Sequence, residues 1–274
     1  MKRKLLITLI ALALTLVLGG NGQAITYDLV DQNVQVEVTS GNTNVYGPQG
    51  AYGWWINGVY NLYSQQWWIG QPGKGQVPVA SPPLALTGSA QLAPNVATFA
   101  YAGAGFTIDE IYFLLGGPVG TVTSDLGETF RLINTSNKSE TFYIYLYSDF
   151  DLKGIPPGDV ATISKALDQA VQVGKGLIND TVVAPNASRG EVNFYAATLT
   201  RLSGAANYHL NNVLGPLGPG DMTYAFEWDV TLTPGFSSII SVDKHVNAIP
   251  VPPSLLLLGS GLVGLLGMRR FRKG

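Results

Sequence analysis

Alternation of apolar and polar side chains at a period of two, broken by glycine- and proline-rich punctuation, constrains this chain more than any other feature. Val34–Val38 alternates strictly, and Phe106–Phe113, Thr129–Ile133, Thr141–Tyr147 and Tyr224–Leu232 do so with small slips. Successive side chains of an extended chain point to opposite faces, so each run reads as a half-buried strand. Gly116–Pro118, Asn134–Asn137, Pro156–Gly158 and Pro234–Gly235 supply the turns between them, and Ile239–Val242 supplies a last strand. Many short strands at this spacing predict an all-β body, an antiparallel β-sandwich or jelly roll. One stretch is ambiguous. Ile163, Leu167, Ala170 and Val171 can line a helix, yet Leu167–Val173 can equally alternate as a strand, which the flanking Thr and Val residues favour. Val77–Pro83 reads as a loop and Pro216–Gly220 as a turn, and no repeat of fixed period divides the chain.

The two ends read differently from the body. Lys2, Arg3 and Lys4 precede an unbroken apolar run, Leu5–Leu18, and Gly22–Ala24 offers small residues where a signal peptidase cuts. Residues 1–24 are therefore expected to be a signal peptide cleaved after Ala24, with an uncleaved anchor as the alternative. At the other end Pro250, Val251, Pro252, Pro253 and Ser254 lead into the uncharged run Leu255–Met268, followed by Arg269, Arg270, Arg272 and Lys273. As a helix, residues 255–268 span ~21 Å at ~1.5 Å per residue, short of a hydrocarbon core of ~30 Å. The prolines oppose extending that helix upstream, and the four cations would stay on the cytoplasmic side.

This tail resembles the PEP-CTERM sorting signal of Gram-negative bacteria, in which a Pro-Glu-Pro motif, a Leu/Gly-rich helix and an arginine cluster follow one another. The match covers Pro250–Lys273, and the departure is Val251 where an acidic residue normally stands. The resemblance implies the Sec translocon, signal peptidase and an exosortase as partners, transient residence in the cytoplasmic (inner) membrane, and delivery to the cell surface or extracellular matrix. It divides the chain into a signal peptide (1–24), a β-sandwich body (25–248) and a sorting segment (249–274) with a transmembrane helix at 255–268. Scattered features of the body, such as Trp55–Val59 and Tyr147–Leu152, loosely resemble other exported proteins with such tails, and imply no activity.

Composition narrows the partners. The body holds nine Lys and Arg against eighteen Asp and Glu, a formal charge of −9, and no two of its cations are adjacent. Nucleic acid is therefore not expected as a partner, since phosphate binding needs clustered cations. With no cysteine, disulfides, thiolate metal sites and lipidation at cysteine are all excluded.

Four of the five tryptophans, Trp54, Trp55, Trp67 and Trp68, lie in one aromatic segment with Asn and Gln neighbours. Such rings can fill a core or stack on sugars, and adjacent pairs on a strand point to opposite faces, so one of each pair can do either. Asp149, Asp151 and Asp159 lie around Gly154 after a strand and are a candidate calcium set, although capping of backbone amides is the commoner role of such residues. No other cofactor is implied. His209 and His245 stand far apart without a zinc or esterase motif and read as surface residues. Asp109/Glu110, Asp149/Asp151 and Glu227/Asp229 are acid pairs of the kind any acidic sandwich offers. The expectation is a non-enzymatic structural or adhesive protein of a biofilm matrix. Its alternatives are an exopolysaccharide-binding module acting through Trp54–Trp68, a secreted hydrolase using an acid pair, and a permanently anchored single-pass protein.

Overall fold

A computed structural model describes residues 24–41, 50–154, 158–204 and 208–249. The chain begins with β1 (Thr26–Asp31), β2 (Val34–Thr39), β3 (Gly50–Ile56), β4 (Val59–Tyr60), β5 (Leu62–Gln71) and β6 (Gly75–Pro78). It continues with β7 (Ala85–Ala93), β8 (Val96–Gly103), β9 (Phe106–Gly116), β10 (Thr123–Asn134) and β11 (Glu140–Phe150). A 3-10 turn at Leu152–Gly154 precedes β12 (Asp159–Ile163), β13 (Gln169–Gly174), β14 (Leu177–Ala184) and β15 (Arg189–Phe194). A short helix, α1 (Ala197–Gly204), is followed by β16 (Leu217–Gly220), β17 (Met222–Leu232) and β18 (Ser237–Ala248).

These strands form two nine-stranded sheets. The first runs β1-β2-β3-β5-β11-β17-β15, with β4 on β3 and β6 on β5; the second runs β16-β12-β13-β14-β18-β10-β9-β8-β7. Pairing is antiparallel throughout except for a short parallel contact of β3 with β5. The body is thus an antiparallel β-sandwich, as the alternation predicts. The inward positions of β9 and β10 (Ile108, Tyr112, Leu114, Leu126, Phe130, Leu132) meet those of β5, β11 and β17 (Trp67, Ile69, Phe142, Ile144, Leu146, Phe226, Trp228) in one core. Trp67 stacks on Phe130 with ring centres 4.6 Å apart.

The ambiguous stretch resolves as β13, starting at Gln169 after a turn in which Leu167 has φ 59°. Pro216–Gly220, expected as a turn, contributes β16 at the rim of the second sheet. Its prolines have no N–H to donate, which suits an edge position. Ala24 is the first described residue. The leader, the 250–254 motif, the 255–268 run and the basic end (Arg269, Arg270, Arg272, Lys273) lie outside the described residues. Among the described residues no helix is long and apolar enough to cross a membrane.

Charged residues also point inward. On β9, Glu110 is buried, and the Tyr112 hydroxyl donates to its Oε2 at 3.1 Å. Burial lifts its carboxyl from 4.5 to about 8; the Tyr112 hydrogen bond opposes the rise and the charge of Glu128 adds to it. The native state therefore keeps a proton that the unfolded chain releases near 4.5, and stability falls as pH climbs through that window to about 8. Glu110→Gln should flatten this decline and raise stability at pH 8.5 by a few kcal/mol, at ~1.4 kcal/mol per unit. Urea unfolding at pH 5.5, 7 and 8.5 checks it; parallel profiles for the two proteins would contradict the assignment.

Candidate functional site

The first sheet turns its second face away from the core, and that face gathers the chain's polar chemistry. Trp68, Tyr145, Tyr147 and Ala225 form its floor, covered by Leu199 and Leu202 of α1 and by Leu210. The helix exists because Leu199 and Leu202, one turn apart, can sit on this floor while Thr200 and Ser203 face outward.

Beside this lid two glutamates, Glu191 on β15 and Glu227 on β17, have fully buried side chains. Glu227 Oε1 accepts from Arg189 Nη1 at 2.8 Å and, in a very short contact, from His209 Nδ1; Oε2 accepts from the Leu210 N–H at 2.7 Å. Arg189 Nη1 also donates to Asp229 Oδ2 at 2.9 Å. Glu191 accepts from Arg201 Nη2 at 2.7 Å, the Tyr208 hydroxyl at 2.8 Å, Asn193 Nδ2 at 3.1 Å, the Asn211 N–H at 3.0 Å and the Thr198 hydroxyl. The two carboxyls therefore behave differently. Burial alone would raise both, but the donors around Glu191 outweigh it and hold that carboxyl below the ordinary range. In Glu227 burial prevails over His209, Leu210 N–H and Arg189, and its carboxyl lies above that range.

His209 is half-buried, its side chain 36% accessible and its ring edge-on to Tyr143 at 4.7 Å. Its hydrogen bonds among the described residues run through Nδ1. A proton on Nδ1, given to the Glu227 carboxylate, would leave Nε2 as the lone-pair nitrogen of the ring. A buried anion behind an imidazole also stabilises the imidazolium once a proton is taken. His209, Glu227 and Asp229 bring ligand atoms within 4.8 Å of one another, but Arg189 already bridges the two carboxylates, which makes this an ion-paired cluster rather than a vacant metal site.

The residues singled out in the sequence are placed as follows. Trp54, Trp67 and Trp68 are buried, at 0%, 3% and 0% exposure, which corrects their reading as sugar-stacking rings. Trp54 and Trp67 belong to the core, and Trp68 lies beneath Leu199 and Leu202. Trp55 is half-buried against Tyr60, beside a shallow groove that Gln32, Gln35, Glu37 and Gly58 also line. Asp149 and Asp151 come together, but their third partner is Asp221 and not Asp159. Asp159 accepts from Gln172 Nε2 at 2.9 Å and leans over Gly174, where a Cβ would fall 1.6 Å from its carboxylate. His245 pairs with Asp125 on the second sheet, a half-exposed contact remote from the first. The grouping of His209 with Glu227 and Arg189 escaped the sequence reading, and only the Glu227/Asp229 pair was visible there.

No family model and no curated protein match the chain. Solved structures do. A candidate aldose 1-epimerase of Escherichia coli K12 superposes with a TM-score of 0.55 at 10% identity, over 82% of this chain and 100% of that one. The GalM/aldose epimerase homologue of C. elegans gives 0.53 at 6% identity, over 83% and 100%. A bacterial glucoamylase complexed with acarbose gives 0.55 at 7% identity, over 85% of this chain and 35% of its own. At such identities the likeness is one of fold. It corrects the expectation of a structural or adhesive, non-enzymatic matrix protein, because the body shares its fold with these carbohydrate-processing enzymes.

Proposed function

We propose that the chain is a carbohydrate-active enzyme that transfers protons at the anomeric centre of an aldose, with His209 as its acid–base group. The observation that carries this reading is a part-exposed imidazole held by a buried carboxylate, with all its hydrogen-bond contacts among the described residues at Nδ1. In a cyclic aldose the anomeric hydroxyl and the ring oxygen are bonded to the same carbon. Nε2 takes the hydroxyl proton, the bond from that carbon to the ring oxygen breaks, and the imidazolium returns the proton to the ring oxygen. Rotation of the open aldehyde and the reverse sequence give the other anomer. Glu227 holds the ring and balances its charge, while Arg189 and Asp229 at the rim offer a donor and an acceptor for sugar hydroxyls. The epimerase-fold neighbours support this reading. Conversion of freshly dissolved α-glucose, and separately of α-galactose, to its own β anomer, followed by polarimetry, tests it: the purified protein should accelerate it beyond buffer alone, and rates equal to buffer for every aldose tried would overturn it.

The ends of the chain support export of this enzyme by the Sec translocon and its sorting by an exosortase. The intact mass of the mature protein should show loss of residues 1–24 and a cut near Pro250–Ser254. A full-length mass would refute both steps.

A further inference from the structure

Three carboxylates from two stretches of chain converge where β11 ends. Asp149 lies at the end of β11, Asp151 leads into the 3-10 turn, and Asp221 directly precedes β17, the strand paired with β11. One oxygen of each lies within 4.8 Å of the others. Two ligands on opposite sides of a calcium ion, each at ~2.4 Å, stand ~4.8 Å apart, so this spacing lets the three share one ion. A second observation points to a ligand. Asp149 is 1% exposed, and its Oδ1 has no hydrogen-bond partner among the described residues; Oδ1 of Asp221 is likewise buried and unpartnered. Buried acceptors normally find donors, because leaving one unmade is costly.

We propose that Asp149, Asp151 and Asp221 form a binding site for a hard divalent cation, calcium above all. An all-carboxylate set selects hard cations over zinc or copper, and the half-buried Asp221 side leaves room for water ligands. Electrostatics agree. Burial raises all three carboxyls, Asp151 to about 6 and Asp149 well above its ordinary range, and the neighbouring aspartates raise Asp149 and Asp151 more. A cation would reverse that penalty. It would also tie the β11 turn to the start of β17, whose Asp221 carbonyl already accepts from Tyr195 N–H at 2.8 Å. The site goes beyond the acid–base reading and does not rest on it. Asp149 pairs with Thr223 while Tyr145 pairs with Glu227, an offset of four residues, or ~13 Å at ~3.3 Å per residue.

Calorimetric titration of the EDTA-treated full chain with CaCl2 and with MgCl2, alongside thermal unfolding, tests this. One saturable calcium per chain and a calcium-dependent rise in Tm are expected. Asp149→Asn and Asp221→Asn should each weaken binding at least tenfold, and Asp149→Asn should melt no lower than the wild type in EDTA, because it removes an uncompensated charge. Magnesium in place of calcium would keep the site and change its ion. No saturable binding of either ion, or binding unchanged in both variants, would overturn it. Should Asp149→Asn fail to fold, the half-exposed Asp221→Asn decides the matter by the same titration.

Discussion

Lys244→Met is expected to lower the unfolding free energy by roughly 3–5 kcal/mol, the usual consequence of removing one partner from a buried ion pair. Lys244 on β18 and Glu128 on β10 are both sealed between the sheets, with Nζ donating to Oε1 at 2.9 Å. The same carboxylate accepts from Gln65 Nε2 and from Trp67 Nε1 at 3.2 Å, so it links the second sheet to β5 of the first. Burial holds the Lys244 ammonium below its ordinary range even against the pull of Glu128, so the pair is already costly. Without the lysine, Glu128 keeps two neutral donors and no cation. It is then a desolvated anion with no counter-charge. Combining Glu128→Gln with Lys244→Met should recover part of the loss, since the glutamine oxygen can still accept. Urea unfolding measures both variants; a loss under 1 kcal/mol for the single variant would show that the interior supports an isolated carboxylate there.

His209→Gln should depress kcat for anomer interconversion about 10²- to 10⁴-fold, the range over which a positioned proton-transfer group contributes. The glutamine amide can still donate to Glu227 Oε1 but presents no titrating base. Because the ring is partly exposed and β17 does not depend on it, Tm should change little. Loss of rate with an unchanged melting curve would separate proton transfer from packing. A variant as active as the wild type would remove His209 from the mechanism.

Strand identity was legible because alternation is a local property. Inward Ile108, Glu110 and Tyr112, and inward Leu126, Glu128 and Phe130, follow their sequence parity. Parity also separated Trp54, inside, from Trp55, half-exposed, on opposite faces of β3. It failed for Trp68, which points outward as expected yet is covered by α1, an element about 130 residues downstream with only two leucines to announce it. The sites were less legible, since their members meet across strands. The Asp149/Asp151 spacing was visible, but Asp221 reaches them only through the β11–β17 pairing, while Asp159, nearer in sequence, is drawn to Gln172. His209 lay eighteen residues from Glu227 with nothing in the local sequence to join them.

The position of β18 has a consequence for biosynthesis. It pairs with β10 on one side and β14 on the other, so the last strand among the described residues is what joins the two halves of the second sheet. Until residues 237–248 leave the ribosome, β7–β10 and β12–β14 are separate pieces with open edges, and the ion pair with Lys244 cannot form. Closure of the second sheet therefore waits on residues 237–248, and every strand before them is made before the sheet can be completed.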